Sequence, residues 1–91
     1  MKKKRARIRI YGTVQGVFFR YNALEKAKEL QITGWVKNES DKTVKIDAEG
    51  EENNLQNFID WCHSGPDQAS IKKVEIEWGD YKNMSSNFKI K

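Results

Sequence analysis

Apolar residues recur along this 91-residue chain with two different periods, and the order of those periods constrains the fold more than any other feature. The segment ARIRIY (6–11) alternates apolar residues with arginine and tyrosine, which is the period-two pattern of a half-buried strand. Over residues 19–30 the apolar residues recur every three to four positions, which predicts an amphipathic helix. The same spacing in residues 55–62 predicts a second helix, with Asn53 or Asn54 as its N-cap.

The remaining apolar segments are short and predict strands. Residues 33–38 and 43–48 flank the polar sequence ESDK, which is typical of a β-hairpin. Two later segments, 71–78 and 87–91, are also interpreted as strands. The order of elements is therefore β-α-β-β-α-β, with one further strand at the end.

This order of elements predicts the fold class. With short connections and right-handed crossovers it favours an α+β fold, the ferredoxin-like βαββαβ two-layer sandwich. We expect an antiparallel sheet of four to five strands with both helices on one face. Because that fold carries many unrelated functions, it does not by itself indicate any of them.

Length and composition indicate one globular domain over residues 1–91. No apolar run approaches the roughly 20 residues that span a bilayer, so no membrane association is expected. No apolar segment of a signal peptide follows the charged N-terminus, and the single cysteine, Cys62, has no internal disulfide partner. We therefore expect a cytoplasmic protein, and nothing in the sequence requires more than a monomer.

Positive charge is concentrated at the N-terminus. Residues 1–9 hold six of the 17 basic residues, and the rest of the chain has a net charge of −2. We expect residues 1–5 to be a flexible basic head. Binding to a nucleic acid would depend on this head, but a solvated terminus and the polar face of a first strand are the simpler interpretation.

The sequence TVQGVFFRYN (13–22) contains the strongest candidate for a binding site. Backbone N–H groups from Gln15 to Arg20 lead into a predicted helix, whose first N–H groups have no partner within the helix. Gly16 permits a positive φ and close approach of a ligand, and Arg20 adds a planar fork of donors. The pattern indicates either a phosphate site or an ordinary strand-to-helix turn, and these residues alone leave both open.

Two longer segments resemble a known family. GTVQGVFFR (12–20) resembles the first acylphosphatase signature, G-x-V-Q-G-V-x-F-R, and GWVKNESDKTVKIDAEG (34–50) resembles the second. The spacing between them and the order of elements also fit, so the resemblance extends over about residues 7–90. It implies a small enzyme, independent of metal and cofactor, that hydrolyses carboxyl–phosphate anhydrides on a five-stranded ferredoxin-like sandwich.

The resemblance also implies a set of site residues. Arg20 and Asn38 correspond to the essential arginine and asparagine of the two signatures. The backbone amides that would hold the substrate phosphate are those of Gln15, Gly16, Val17, Phe18, Phe19 and Arg20. Asn38 would align the attacking water, and the substrate phosphate itself would take the proton.

Three positions depart from the usual family pattern. Lys42 stands where a glycine is usual, so a left-handed turn there would cost on the order of 1 kcal/mol or force another hairpin geometry. Gln31 replaces a frequent glycine after the first helix and is expected to alter only its C-cap. Phe18 occupies a variable position at which a small residue is frequent, and it is expected to narrow the mouth of the site.

The other candidate residues are interpreted as structural. Cys62 lies on the apolar stripe of the second predicted helix, and His63 has no metal-ligand spacing around it. Asp47 and Glu49 are expected on the solvated face of their strand. No residue is therefore assigned to a metal site.

Two alternatives to the enzyme remain at the level of sequence. A nucleic-acid-binding module would share the sandwich and use the basic head, but TVKIDAEG (43–50) has no aromatic residue for stacking on bases, so nucleic acid is an unlikely partner. A binder of phosphate or carbamoyl phosphate without turnover is the second alternative. Retention of both Arg20 and Asn38 favours turnover of a small acyl phosphate.

Overall fold

The computed structural model describes residues 2–91, and Met1 lies outside the described residues. Five strands and two helices follow one another along this part of the chain. In order they are β1 Lys3–Thr13, α1 Phe19–Glu29, β2 Thr33–Asn38, β3 Val44–Glu51, α2 Glu52–Ser64, β4 Ser70–Asp80 and β5 Phe88–Ile90. Within residues 2–91, neither helix is long and apolar enough to cross a membrane.

The five strands form one sheet in the order β4-β1-β3-β2-β5. The pairs β4–β1, β1–β3 and β3–β2 are antiparallel, but β5 runs parallel to β2, so the expectation of an antiparallel sheet was wrong for the last strand. The reason is the direction of the preceding strand. The chain reverses after β4, and β2 already runs in that reversed direction, so a fifth strand added beside β2 must be parallel to it.

Both helices pack on one face of this sheet, and the predicted α+β two-layer sandwich is confirmed. The strands contribute alternate apolar residues to the core, and the helices contribute residues at helical spacing. The largest side chains buried there are Phe19, Phe58, Ile8, Ile10, Ile46, Leu55, Ile59, Val14, Val36, Val44 and Cys62. Each buried side chain of this size contributes about 1.5–3 kcal/mol to the free energy of unfolding.

The N-terminal residues belong to the sheet and do not form a separate head. Lys3, Lys4 and Arg5 are the first residues of β1 and pair with the end of β3. Arg5 also donates two hydrogen bonds to Asp47, of 2.9 and 2.6 Å. The expectation of a flexible head was therefore wrong for residues 3–5, because strand pairing and this bidentate ion pair hold them.

The start of α2 also differs from the prediction. The helix follows β3 without a loop, and its N-cap is the extended Glu51, which makes no side-chain capping bond. The backbone N–H of Glu52 donates instead to the carbonyl of Lys2 at 2.8 Å. Because a neighbouring part of the chain satisfies this donor, neither Asn53 nor Asn54 is the N-cap.

Two carboxylates expected on the solvated face of β3 are buried. The exposed fractions are 8% for Asp47 and 3% for Glu49. Glu49 accepts hydrogen bonds from the backbone N–H groups of Lys82, at 2.6 Å, and Met84, at 2.9 Å. The connection between β4 and β5 therefore crosses this end of the open sheet face and covers it.

The end of α1 is a Schellman motif built around a non-glycine residue. Gln31 has a φ of 58° and donates from its backbone N–H to the carbonyl of Lys28 at 3.3 Å. The N–H of Ile32 reaches back to the carbonyl of Ala27 at 2.8 Å. Gln31 thus takes the left-handed position without altering the form of the C-cap.

Lys42 likewise adopts the left-handed conformation, with a φ of 74° in the turn between β2 and β3. Lys42→Gly is expected to raise the free energy of unfolding by about 0.5–1 kcal/mol, since glycine removes the steric cost at a small cost in chain entropy. Urea unfolding measures the change. Ser40→Gly, in the same turn but without a positive φ, is the control. An equal effect of the two substitutions would contradict the prediction.

Candidate functional site

The register of three strands brings the two sequence signatures together. Ile10 of β1 lies opposite Val44 of β3, and Val44 lies opposite Asn38 of β2. β1 and β2 therefore end at the same edge of the sheet, where β3 begins. The connection from β1 to α1, residues 14–18, and the turn from β2 to β3, residues 39–43, leave this same edge.

The side chain of Gln15 joins these two connections directly. Its Nε2 donates to the carbonyl oxygens of Glu39, at 2.8 Å, and Thr43, at 3.0 Å. Sequence reasoning assigned Gln15 only a backbone amide, and the role of its side chain was missed. No local pattern indicates this role, because the two partners lie 24 and 28 residues away.

The connection 14–18 has positive φ values at alternate positions, 76° at Gly16 and 61° at Phe18. Left-handed residues in such an alternation turn nearby backbone N–H groups toward a common side and form an anion-binding nest. A Cβ atom on Gly16 would meet no protein atom within 4 Å, so the space in front of this residue is open. The positive φ, not a lack of room, makes glycine suitable there.

The two residues that flank Phe18 in sequence, Val17 and Phe19, point toward the protein interior. Val17 packs against the core, and Phe19 is only 1% exposed. The ring of Phe19 lies 5.2 Å from that of Trp61 on α2, measured between centroids. These contacts anchor the segment on both sides of Phe18, whose side chain is 70% exposed.

Arg20 is the second residue of α1 and is partly buried. Within residues 2–91, no carboxylate forms an ion pair with it. The first turn of α1 contains no acidic residue, although the positive end of the helix dipole favours negative charge there. Arg20 and the positive end of the helix dipole thus both add positive potential at the start of α1, which favours an anion there.

Asn38 is the last residue of β2 and supplies an acceptor without a donor. Its Oδ1 is buried, and no group of residues 2–91 donates a hydrogen bond to it. A buried acceptor without a partner costs about 1–3 kcal/mol. A water molecule or a ligand with a hydrogen-bond donor would satisfy it.

Hydrogen bonds and ion pairs fix the turn that follows Asn38. Asp41 accepts from the backbone N–H of Thr43 at 3.1 Å and from its hydroxyl at 2.5 Å. These bonds lower the pKa of the Asp41 carboxyl, and Arg9 adds a smaller effect in the same direction. The carboxylate of Glu39 lies 3.6 Å from the Lys37 ammonium. The left-handed Lys42 is thus part of an ordered turn.

Cys62 and His63, whose side chains are of reactive types, lie on α2 and not in the two connections at this edge of the sheet. Cys62 is buried on α2, and burial raises the pKa of its thiol far above the ordinary value. His63 is exposed, and its Nδ1 lies 3.0 Å from the carbonyl oxygen of Ile59, in the preceding turn of α2. The interpretation of both as structural residues is consistent with these positions.

Gln15→Glu tests the connection between the two segments. The substitution keeps the shape of the side chain but places a carboxylate against two carbonyl oxygens, so the free energy of unfolding should fall by about 1–3 kcal/mol. Urea unfolding measures this loss. Gln68→Glu, at an exposed position between α2 and β4, is the control and should change stability by less than about 0.5 kcal/mol. Equal changes in the two variants would mean that the hydrogen bonds of the Gln15 side chain do not contribute to the free energy of unfolding.

Comparisons with known proteins point to one family. The family model described as Acylphosphatase matches residues 6–90. An acylphosphatase of Pelotomaculum thermopropionicum is 39% identical over 90 residues, which is 99% of this chain and 98% of that protein.

Solved structures agree with the sequence comparison. An acylphosphatase from Coxiella burnetii superposes with a TM-score of 0.93 at 37% identity, over 99% of this chain and 94% of the other. The acylphosphatase from Bacillus subtilis gives a TM-score of 0.92 at 34% identity, over 96% and 97% of the two chains.

Proposed function

The chain belongs to the acylphosphatase family, and we propose that it hydrolyses acyl phosphates to a carboxylate and inorganic phosphate. One observation of the structure supports this proposal above the others. Among residues 2–91, no carboxylate pairs with Arg20 at the start of α1 and no group donates to the buried Oδ1 of Asn38, and both residues lie at the same edge of the sheet. A phosphate and a water molecule would satisfy these two requirements together.

The phosphoryl group would be held by the connection that precedes α1. The backbone amides of Gln15 to Arg20 would donate to its oxygens, with the helix dipole adding to their effect. The guanidinium of Arg20 would add two parallel N–H donors, which match phosphate geometry. These donors are fixed before substrate binds, because Val17 and Phe19 anchor the segment and Gln15 ties it to the neighbouring turn.

Asn38 would position the attacking water. Its Oδ1 would accept a hydrogen bond from the water, and its amide group would donate one to the phosphate. Water bound in this way would stand opposite the acyl oxygen, ready for in-line attack on phosphorus. The unsatisfied Oδ1 supports this role, since it already lacks a donor among residues 2–91.

The reaction needs little acid or base from the protein. The oxygen of water forms a bond to phosphorus, and the bond from phosphorus to the acyl oxygen breaks. The carboxylate that leaves is a weak base, and phosphoryl transfer depends mainly on positioning and on stabilising charge. We assign the water proton to an oxygen of the substrate phosphate, because Glu39, beside Asn38 in sequence, is engaged with Lys37 and Arg9.

Binding of nucleic acid through the basic N-terminal strand is less well supported. Three arginines of β1 already face carboxylates: Arg5 pairs with Asp47, Arg7 with Glu77 and Arg9 with Asp41. Their charge is thus largely compensated within the sheet. A mobility shift with RNA that disappears with rising salt would be needed to revive this alternative.

Arg20→Ala and Asn38→Ala test the two side chains. In each folded variant, kcat for benzoyl phosphate should fall by at least about 10²–10³-fold, the range for loss of one preorganised donor or positioning group. The fall in ultraviolet absorbance on hydrolysis measures the rate, with EDTA present throughout. Arg7→Ala and Asn53→Ala replace the same residue types on the surface and serve as controls.

The outcomes for these variants separate the possible functions. Turnover by the wild type that persists in Arg20→Ala and Asn38→Ala would contradict the assigned roles. If the wild type binds phosphate but hydrolyses no substrate, the protein is a binder of phosphate or carbamoyl phosphate without turnover. Loss of rate in EDTA, restored by a divalent cation, would contradict the expectation, drawn from the family resemblance, that the enzyme is independent of metal.

The exposed histidine, His63, is not expected to act as a general base. His63→Gln should leave kcat within about twofold of the wild type and should not alter the dependence of kcat on pH, because His63 lies on α2 and is bonded to its own helix. Measurement of kcat from acidic to neutral pH compares the two proteins. An inflection in the wild-type profile that disappears in His63→Gln would identify this histidine as the base.

A further inference from the structure

Two exposed aromatic side chains stand beside the proposed phosphate site. Phe18 is 70% exposed and Tyr21 is 56% exposed. Phe18 is the N-cap of α1 and Tyr21 lies in its first turn, on either side of Phe19 and Arg20 in sequence. The other exposed large apolar residues of the described chain are Trp78, Met84 and Ile90, which lie on or near β4 and β5.

The fold gives no reason for a phenyl ring at position 18. Phe18 is the N-cap of α1, and its φ of 61° is a rare conformation for a bulky residue. A glycine would adopt this conformation without strain, and an exposed ring gains little from packing. A strained backbone conformation that no side-chain packing offsets is typical of functional positions.

The position of Phe18 determines what its ring can touch. Val17 and Phe19 are directed into the protein, so the inner side of the connection is filled. An acyl group attached to a phosphate held by the backbone amides would therefore extend outward, where the space beside Gly16 is open. Phe18 and Tyr21 are the exposed large apolar side chains of that region.

We propose that Phe18 and Tyr21 contact the acyl group of the substrate and favour aromatic or large apolar acyl phosphates over acetyl phosphate. This inference rests on the proposed function. The acyl group would stack on or lie against the two rings, and an acetyl group is too small to gain much from them. A contact between aromatic rings of this kind changes the ratio of rates by roughly three- to tenfold.

The test compares kcat/KM for benzoyl phosphate and acetyl phosphate in each protein. The ratio of the two values is the informative quantity, because a distortion of the shared phosphate site alters both rates and largely cancels. The variants are Phe18→Ala, Tyr21→Ala and the conservative Phe18→Tyr. Met84→Ala removes a side chain of similar exposure, 60%, from the connection between β4 and β5 and is the control.

The expected result is a fall in this ratio by roughly three- to tenfold in Phe18→Ala and in Tyr21→Ala. Phe18→Tyr and Met84→Ala should keep the wild-type ratio. If Phe18→Ala does not fold, Tyr21→Ala decides the test. A ratio unchanged in the folded alanine variants, while the wild type hydrolyses both substrates, would overturn this inference alone. A wild type that hydrolyses neither substrate would overturn the proposed function and this inference with it.

Discussion

The register of β1, β3 and β2 is the constraint on which the site depends. It places Ile10, Val44 and Asn38 in one row, so that the ends of two strands share an edge of the sheet. A shift by one residue would turn the side chain of Asn38 to the opposite face. The buried apolar residues of these strands oppose such a shift, and the two bonds from Gln15 hold the neighbouring connections together.

The site concentrates features that a stable fold alone would avoid. Arg20 stands in the first turn of α1, the buried Oδ1 of Asn38 lacks a donor among residues 2–91, and Phe18 adopts a left-handed conformation. Each has a cost in stability, and under the proposed function each would be relieved or used when an acyl phosphate and a water molecule bind. Lys42 and Gln31 are also left-handed, but their turns are closed by ordinary backbone hydrogen bonds, so they have no corresponding use.

The sequence predicted the order of elements, the two-layer sandwich and the family, since each depends on local periods or on contiguous signatures. It was wrong about the direction of β5, the N-cap of α2, the flexibility of residues 3–5 and the burial of Asp47 and Glu49. These errors have one physical cause. In each case the deciding partner is a distant part of the chain, such as the backbone of residues 82–84 for Glu49.

The sequence by itself identified the residues proposed to meet a substrate, because Arg20, Asn38 and the amides between Gln15 and Arg20 lie in two contiguous signatures. Only the tertiary structure decided how those residues are held. The bonds from Gln15 to Glu39 and Thr43 join segments that lie 24 and 28 residues apart in sequence. The burial of the Asn38 Oδ1 without a donor among residues 2–91 is likewise a result of packing. Local periods carry no information on such contacts, since these depend on strand register and on which segment covers each face.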